Sequence, residues 1–138
     1  PNSTRPWQHV LEPLSGYIAL SYYLEKNNKI NGNSFNFGPK FNEVATVKKV
    51  LKLSNRYWKN SKFEIYNEKF FSEDNLLKLN SVKAENILKW KKILNLEKTL
   101  KLTMNWYKEF YENNSKAQKL LDNDINYYLS LNRNVFNV

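Results

Sequence analysis

Arg5 leads the segment Arg5-Pro6-Trp7-Gln8-His9-Val10, and its guanidinium, permanently charged with planar donors, suits an anion. Four residues on, His9 is the sole histidine of the chain and its one candidate general base. No serine or cysteine motif accompanies it. A lone histidine in an extended segment is ordinarily packed or hydrogen-bonded, and that is the reading taken for His9. One histidine, without a paired acidic signature, cannot assemble a common catalytic zinc centre. The absence of cysteine removes thiolate nucleophiles and disulfide frameworks. Three glycines are too few for a phosphate-cradling loop of the dinucleotide or Walker type. Catalytic, metal-ligating and cofactor-binding residues are therefore not expected in this chain, and residue chemistry stops at an anion-facing arginine.

The formal net charge of +9 raises nucleic acid or an anionic membrane as partners. The lysines are scattered among asparagines, the pattern of a solvated surface. Trp106, Tyr107, Phe110 and Tyr111 have the types needed to stack bases. Their spacing of three and four residues predicts instead the buried face of a long helix. No apolar run approaches the ~20 residues of a membrane span, and the opening lacks the order of a signal peptide. A cytoplasmic setting is expected.

The elements that must position Arg5 follow from the patterning. Arg5 lies in an extended segment that breaks into a helix from Pro13 to about Lys26, proline being suited to a first turn. A loop over Asn27–Asn33 precedes alternating Ser34–Phe37, predicted as a short strand that ends at Gly38-Pro39. Thr46 caps a helix from Val47 to about Trp58. Phe63–Tyr66 reads as a strand, residues 67–75 as irregular, and Leu76–Leu79 as extended. Asn80 or Ser81 starts a short helix to about Leu88, and Asn95 caps the longest amphipathic helix, carrying Leu96, Leu100, Thr103, Tyr107 and Phe110. A last helix spans about Leu120–Leu131, with a fraying tail after it. The fold class is α/β and mostly helical, one lobe with a few short strands.

The segment Arg5-Pro-Trp-Gln-His-Val-Leu-Glu-Pro-Leu-Ser-Gly-Tyr17 closely resembles the corresponding stretch of the CDP-glucose 4,6-dehydratases, members of the extended short-chain dehydrogenase/reductase superfamily. Phe35–Pro39, Thr46–Leu53, Glu73–Trp90 and Asn95–Tyr111 resemble later family blocks in the same order. The resemblance implies the C-terminal substrate-binding lobe of such an enzyme, without a complete Rossmann domain. The chain, 1–138, is expected to be a fragment of a longer enzyme, since it opens without methionine directly on a tightly specified segment.

In this family, by the same resemblance, an N-terminal Rossmann domain binds NAD and carries the chemistry, converting CDP-glucose to CDP-4-keto-6-deoxyglucose for surface polysaccharide. The implied partners are a nucleotide sugar and the missing Rossmann domain, and a homo-oligomer is a further partner to be tested. The implied substrate-binding residues are Arg5 toward the diphosphate, Asn36 at an Asn-Phe-Gly turn, and Glu73 toward a ribose hydroxyl. A purely structural turn role for Asn36 stands beside that. The sequence departs from the family at Ser72 and Asp74, where histidine and alanine are usual, which opens base specificity. It departs again at Lys89, where the family has glycine after a helix. Lysine there either holds a left-handed cap at a cost of roughly 1 kcal/mol or shifts the geometry. Another nucleotide-sugar dehydratase, epimerase or reductase, a basic nucleic-acid-binding module, and a lobe that mediates oligomer contacts are the alternatives.

Overall fold

Two residues at the start of the chain and two near its first third make the frame. The protein, described by a computed structural model over residues 2–40, 43–59, 63–64 and 77–131, pairs β1 (Thr4–Arg5) antiparallel with β2 (Ala45–Thr46). Thr4 faces Thr46 and Arg5 faces Ala45 in this ribbon. Leu77, from the segment predicted as extended, donates its N–H to the Thr4 carbonyl at 3.3 Å and so joins the ribbon's outer side. Trp7 fixes β2 by donating its indole N–H to the Ala45 carbonyl at 2.9 Å.

Helix α1 (Leu11–Lys26) begins where His9 turns its ring back, Nδ1 accepting the Leu11 N–H at 3.3 Å. The imidazole therefore serves one of the helix's orphan amides, and the packed reading of His9 holds. Pro13 falls in the first turn, where its missing N–H is not needed. One face of α1 buries Leu11, Glu12, Ser15 and Gly16. Gly16 is required by a close approach: a Cβ there would lie 2.3 Å from Phe37 Cδ1. The opposite face is also apolar yet bare, with Val10 60%, Leu14 45%, Tyr17 56% and Ile18 56% exposed. At about 100° per residue these four positions fall within an arc of roughly 100°. A helix apolar on both faces is built to be covered on both.

After a 3-10 turn at Asn28–Ile30, the strand predicted over Ser34–Phe37 is not formed. Its alternation is nonetheless real, since Phe35 and Phe37 pack into the core around Trp90 while Asn36 is exposed. What it lacks is a neighbouring strand. The Phe37 carbonyl is taken instead by the Gln8 side-chain amide at 2.8 Å. The strand predicted at Phe63–Tyr66 is absent at Phe63 and Glu64, and its remaining residues, together with 67–76 and the tail after Leu131, lie outside the described residues.

Helix α2 (Val47–Ser54) is capped by Thr46, whose Oγ1 accepts the Lys49 N–H at 3.1 Å. It stops at Ser54 and continues to Trp58 as turns. Short α3 (Val82–Ile87) ends in Lys89 with φ +52°, so the left-handed cap is kept on a lysine. Helix α4 (Leu96–Glu112) carries its predicted Asn95 cap on the Lys98 N–H at 2.9 Å and pairs with α5 (Ala117–Leu131). The prediction for the α4 aromatics fails. Its buried residues are Thr99 and Leu100, while Tyr107, Phe110 and Tyr111 are 44%, 37% and 64% exposed. Eight-residue α2 covers only the first half of α4, through Val50 and Leu53 against Leu96 and Leu100. Beyond it the rings stack on each other, Trp106 on Phe110 at 5.2 Å and Tyr107 on Tyr111 at 6.2 Å.

The result is the mostly helical lobe expected, with one two-stranded ribbon and no complete Rossmann sheet among the described residues. No described helix is long and apolar enough to cross a membrane.

Candidate functional site

The polar centre of the molecule is a carboxylate that sequence reasoning passed over. Glu12 is fully buried, and its side chain reaches across from α1 to the segment before α4 and to α5. Oε1 accepts the Leu94 N–H at 2.6 Å and the Ile93 N–H at 3.0 Å, and Oε2 faces the Tyr128 hydroxyl at 3.0 Å. One turn on, Ser15 Oγ lies 2.7 Å from the Glu12 carbonyl and 3.0 Å from Tyr128 Oη, and accepts the Trp90 indole N–H at 2.9 Å.

Three oxygen–oxygen contacts join Ser15, Tyr128 and Glu12, but the two hydroxyls bring only two protons. Tyr128 donates to Glu12 Oε2 and Ser15 to the Glu12 carbonyl, which leaves the Ser15–Tyr128 contact as the shared one, where either oxygen can donate. Burial pushes the Glu12 carboxyl above its ordinary range, opposed by the Leu94 N–H, the Tyr128 hydroxyl, the Ile93 N–H and Lys92. Burial likewise raises the Tyr128 phenol. The arrangement holds three elements together and offers no open position to a substrate. A signal existed in the sequence, because Glu12, Ser15, Gly16 and Ala19 share one helical arc.

A second polar pair sits beside it. His9 Nε2 lies 4.0 Å from Asp124 Oδ2 at the end of a cavity of about 530 Å3 between residues 8–11 and the α4–α5 hairpin. Burial lowers the imidazole's affinity for a proton and raises that of Asp124.

Of the residues singled out from sequence, Arg5 is half-buried in β1, and its Nη1 donates to the Thr4 carbonyl at 2.8 Å. Asn36 is exposed, two residues before Gly38. Neither lines the cavity at His9, nor a second one of about 280 Å3 beside Pro39, Leu79 and Ser81. Glu73 lies outside the described residues. No group of three or more histidine, cysteine or acidic residues is placed to hold a metal among the described residues.

A dinucleotide cofactor does not fit the described glycines. Its phosphates need glycines that let the backbone approach closely, and Gly16 and Gly38 are spent on packing. A Cβ at Gly38 would lie 2.7 Å from Leu79 Cβ, and the Gly38 N–H is held by Ser81 Oγ at 2.8 Å. Gly32 stands alone in its turn.

The lobe is mostly helical, with one arginine-led ribbon and no complete Rossmann sheet among the described residues, which is consistent with the C-terminal lobe of a dehydratase. The particular relationship is shown by sequence. Over 109 residues the chain is 35% identical to CDP-glucose 4,6-dehydratase of Salmonella typhimurium, which spans 78% of this chain and 30% of that enzyme's length. No family model matches the chain.

Proposed function

We propose that this chain is the nucleotide-sugar-binding portion of a cytoplasmic CDP-glucose 4,6-dehydratase-like lyase, which converts CDP-glucose to CDP-4-keto-6-deoxyglucose together with a Rossmann domain that holds NAD. The observation that carries this reading is the 35% identity across 78% of the chain to an enzyme of that name. The bare stripe Val10, Leu14, Tyr17 and Ile18 supports a covering domain, because four large apolar side chains on one arc cost free energy when left in water. In this role Arg5 binds the diphosphate, Asn36 the nucleotide sugar and Glu73 the ribose. The chain by itself is inactive in this reading, since none of its glycines is free to cradle the cofactor's phosphates.

The test joins the 138 residues to the NAD-binding part of the Salmonella enzyme and follows CDP-glucose consumption. Turnover by the joined protein and none by the chain alone is expected. A joined protein that folds and binds NAD but ignores CDP-glucose overturns the assignment, as does turnover by the chain alone.

One observation favours a second reading. The exposed Tyr107–Tyr111 pair, continued by Trp58 stacked on Tyr111 at 6.2 Å, is a ready platform for bases on a basic protein. Binding to a single-stranded oligonucleotide that weakens steeply with salt would favour it. Weak binding without that slope removes it.

A further inference from the structure

The cavity of about 530 Å3 at His9 lies within the size range of small-molecule sites and belongs to none of the residues discussed for the nucleotide sugar. Val10, Trp106, Tyr107 and Leu121 give it an apolar wall, and the Trp106 and Tyr107 rings meet edge to face at 5.3 Å. Its polar end is His9 and Asp124.

That end has a defined chemistry. His9 Nδ1 accepts the Leu11 N–H, so the neutral ring carries its proton on Nε2. Nε2 and Asp124 Oδ2 are 4.0 Å apart, beyond a direct hydrogen bond. One oxygen about 2.8 Å from each would subtend roughly 90° between them, a workable angle at a hydroxyl. The bridging group must accept from Nε2–H and donate to a carboxylate oxygen. A hydroxyl does both, whereas a carbonyl only accepts and an ammonium only donates. The apolar wall, with aromatic rings on one side, then calls for a ring as the body of the ligand.

We propose that this cavity binds a small ring compound with one hydroxyl, of the phenol class, its oxygen seated between His9 Nε2 and Asp124 Oδ2 and its ring against Trp106, Tyr107 and Leu121. The site uses none of the residues given to the nucleotide sugar, and only Val10 is shared with the stripe that the covering domain would meet.

Ligand-observed NMR titration of the 138-residue chain tests it with phenol, toluene and N-acetyl-tyrosinamide. Phenol should bind saturably, and toluene, of equal shape without the hydroxyl, at least ten-fold more weakly. Asp124→Leu should bring phenol down to the toluene level and leave toluene unchanged. Ala117→Trp and Leu121→Trp, both at exposed positions on the cavity rim, should abolish phenol binding, with circular dichroism reporting an intact fold. Equal affinity for phenol and toluene, or phenol binding that survives both tryptophan variants, overturns the proposal. Tighter binding of N-acetyl-tyrosinamide than of phenol overturns the small-molecule assignment in favour of a tyrosine side chain of a polypeptide.

Discussion

Glu12 and Tyr128 stand 116 residues apart in the chain and 3.0 Å apart in the fold. The first turn of α1 and the last turns of α5 are thereby joined through one carboxyl group, with the Ile93 and Leu94 amides on its other oxygen.

Glu12→Ala should therefore be among the most damaging single changes. It strands two backbone N–H groups and the Tyr128 hydroxyl in a buried place, at about 1–3 kcal/mol for each unsatisfied group. A loss of about 3 kcal/mol or more in chemical denaturation is expected. Glu12→Gln keeps one acceptor oxygen for the two amides and turns its NH2 toward Tyr128, whose oxygen can accept. It should cost less than about 1.5 kcal/mol. Equal damage from both variants would show that shape, not hydrogen bonding, sets the requirement.

The same carboxyl gives a pH dependence of known sign. Its folded value is raised above the ordinary 4.5, so its contribution is fully present below that value and is lost as pH rises through the raised folded value. Asp124 has the same sign, and His9, lowered from 6.5, the opposite one: its contribution is lost as pH falls. Tyr128, Ser15 and Lys92 face Glu12 and are unchanged in Glu12→Gln. The difference in melting temperature, variant minus native, should therefore grow more favourable to the variant from about pH 4.5 upward. A flat difference between about pH 4 and pH 8 would rule this out.

Lys89→Gly should stabilise the protein. Lys89 holds φ +52° and its side chain is exposed, so glycine removes a backbone penalty of roughly 1 kcal/mol without opening a cavity. The melting temperature should rise by about 4 °C. An unchanged or lower value would place the conformational strain elsewhere.

In the joined, active enzyme, Arg5→Ala should weaken CDP-glucose binding by about 1.5–3 kcal/mol, the range for a hydrogen bond to a charged group. Arg5→Lys should recover only part, because a point charge cannot replace a planar fork. NAD affinity should stay the same in both. Calorimetric titration separates the outcomes: unchanged CDP-glucose affinity makes Arg5 structural, and parallel loss of NAD binding signals misfolding.

Local signals carried far in this chain. Thr46 and Asn95 cap their helices as their residue types and positions indicate, and position 89 keeps its left-handed turn against the preference of lysine. Illegible were the features that depend on partners distant in sequence. Phe35 and Phe37 alternate as a strand does, but pairing needs a neighbour, and none reaches them among the described residues. The α4 aromatics are spaced as a core face, but a core also needs an opposing surface, and α2 ends too soon to supply it. For the site, the anion-facing reading of Arg5 came from its chemistry alone. Glu12 carried a signal in its helical arc, but its hydroxyl partner, like Asp124 beside His9, comes into place only when α5 folds back beside α1.

That return has a price in time. Synthesis at about 5–20 residues per second places an interval on the order of 10 s between the emergence of Glu12 and that of Tyr128. During it, the Ile93 and Leu94 amides reach the Glu12 carboxyl before Tyr128 does, and α1 can already pack on Phe37 and Trp90. The tie between α1 and α5 is therefore the last to form, and a nascent chain that stalls before α5 leaves Glu12 without its hydroxyl partner.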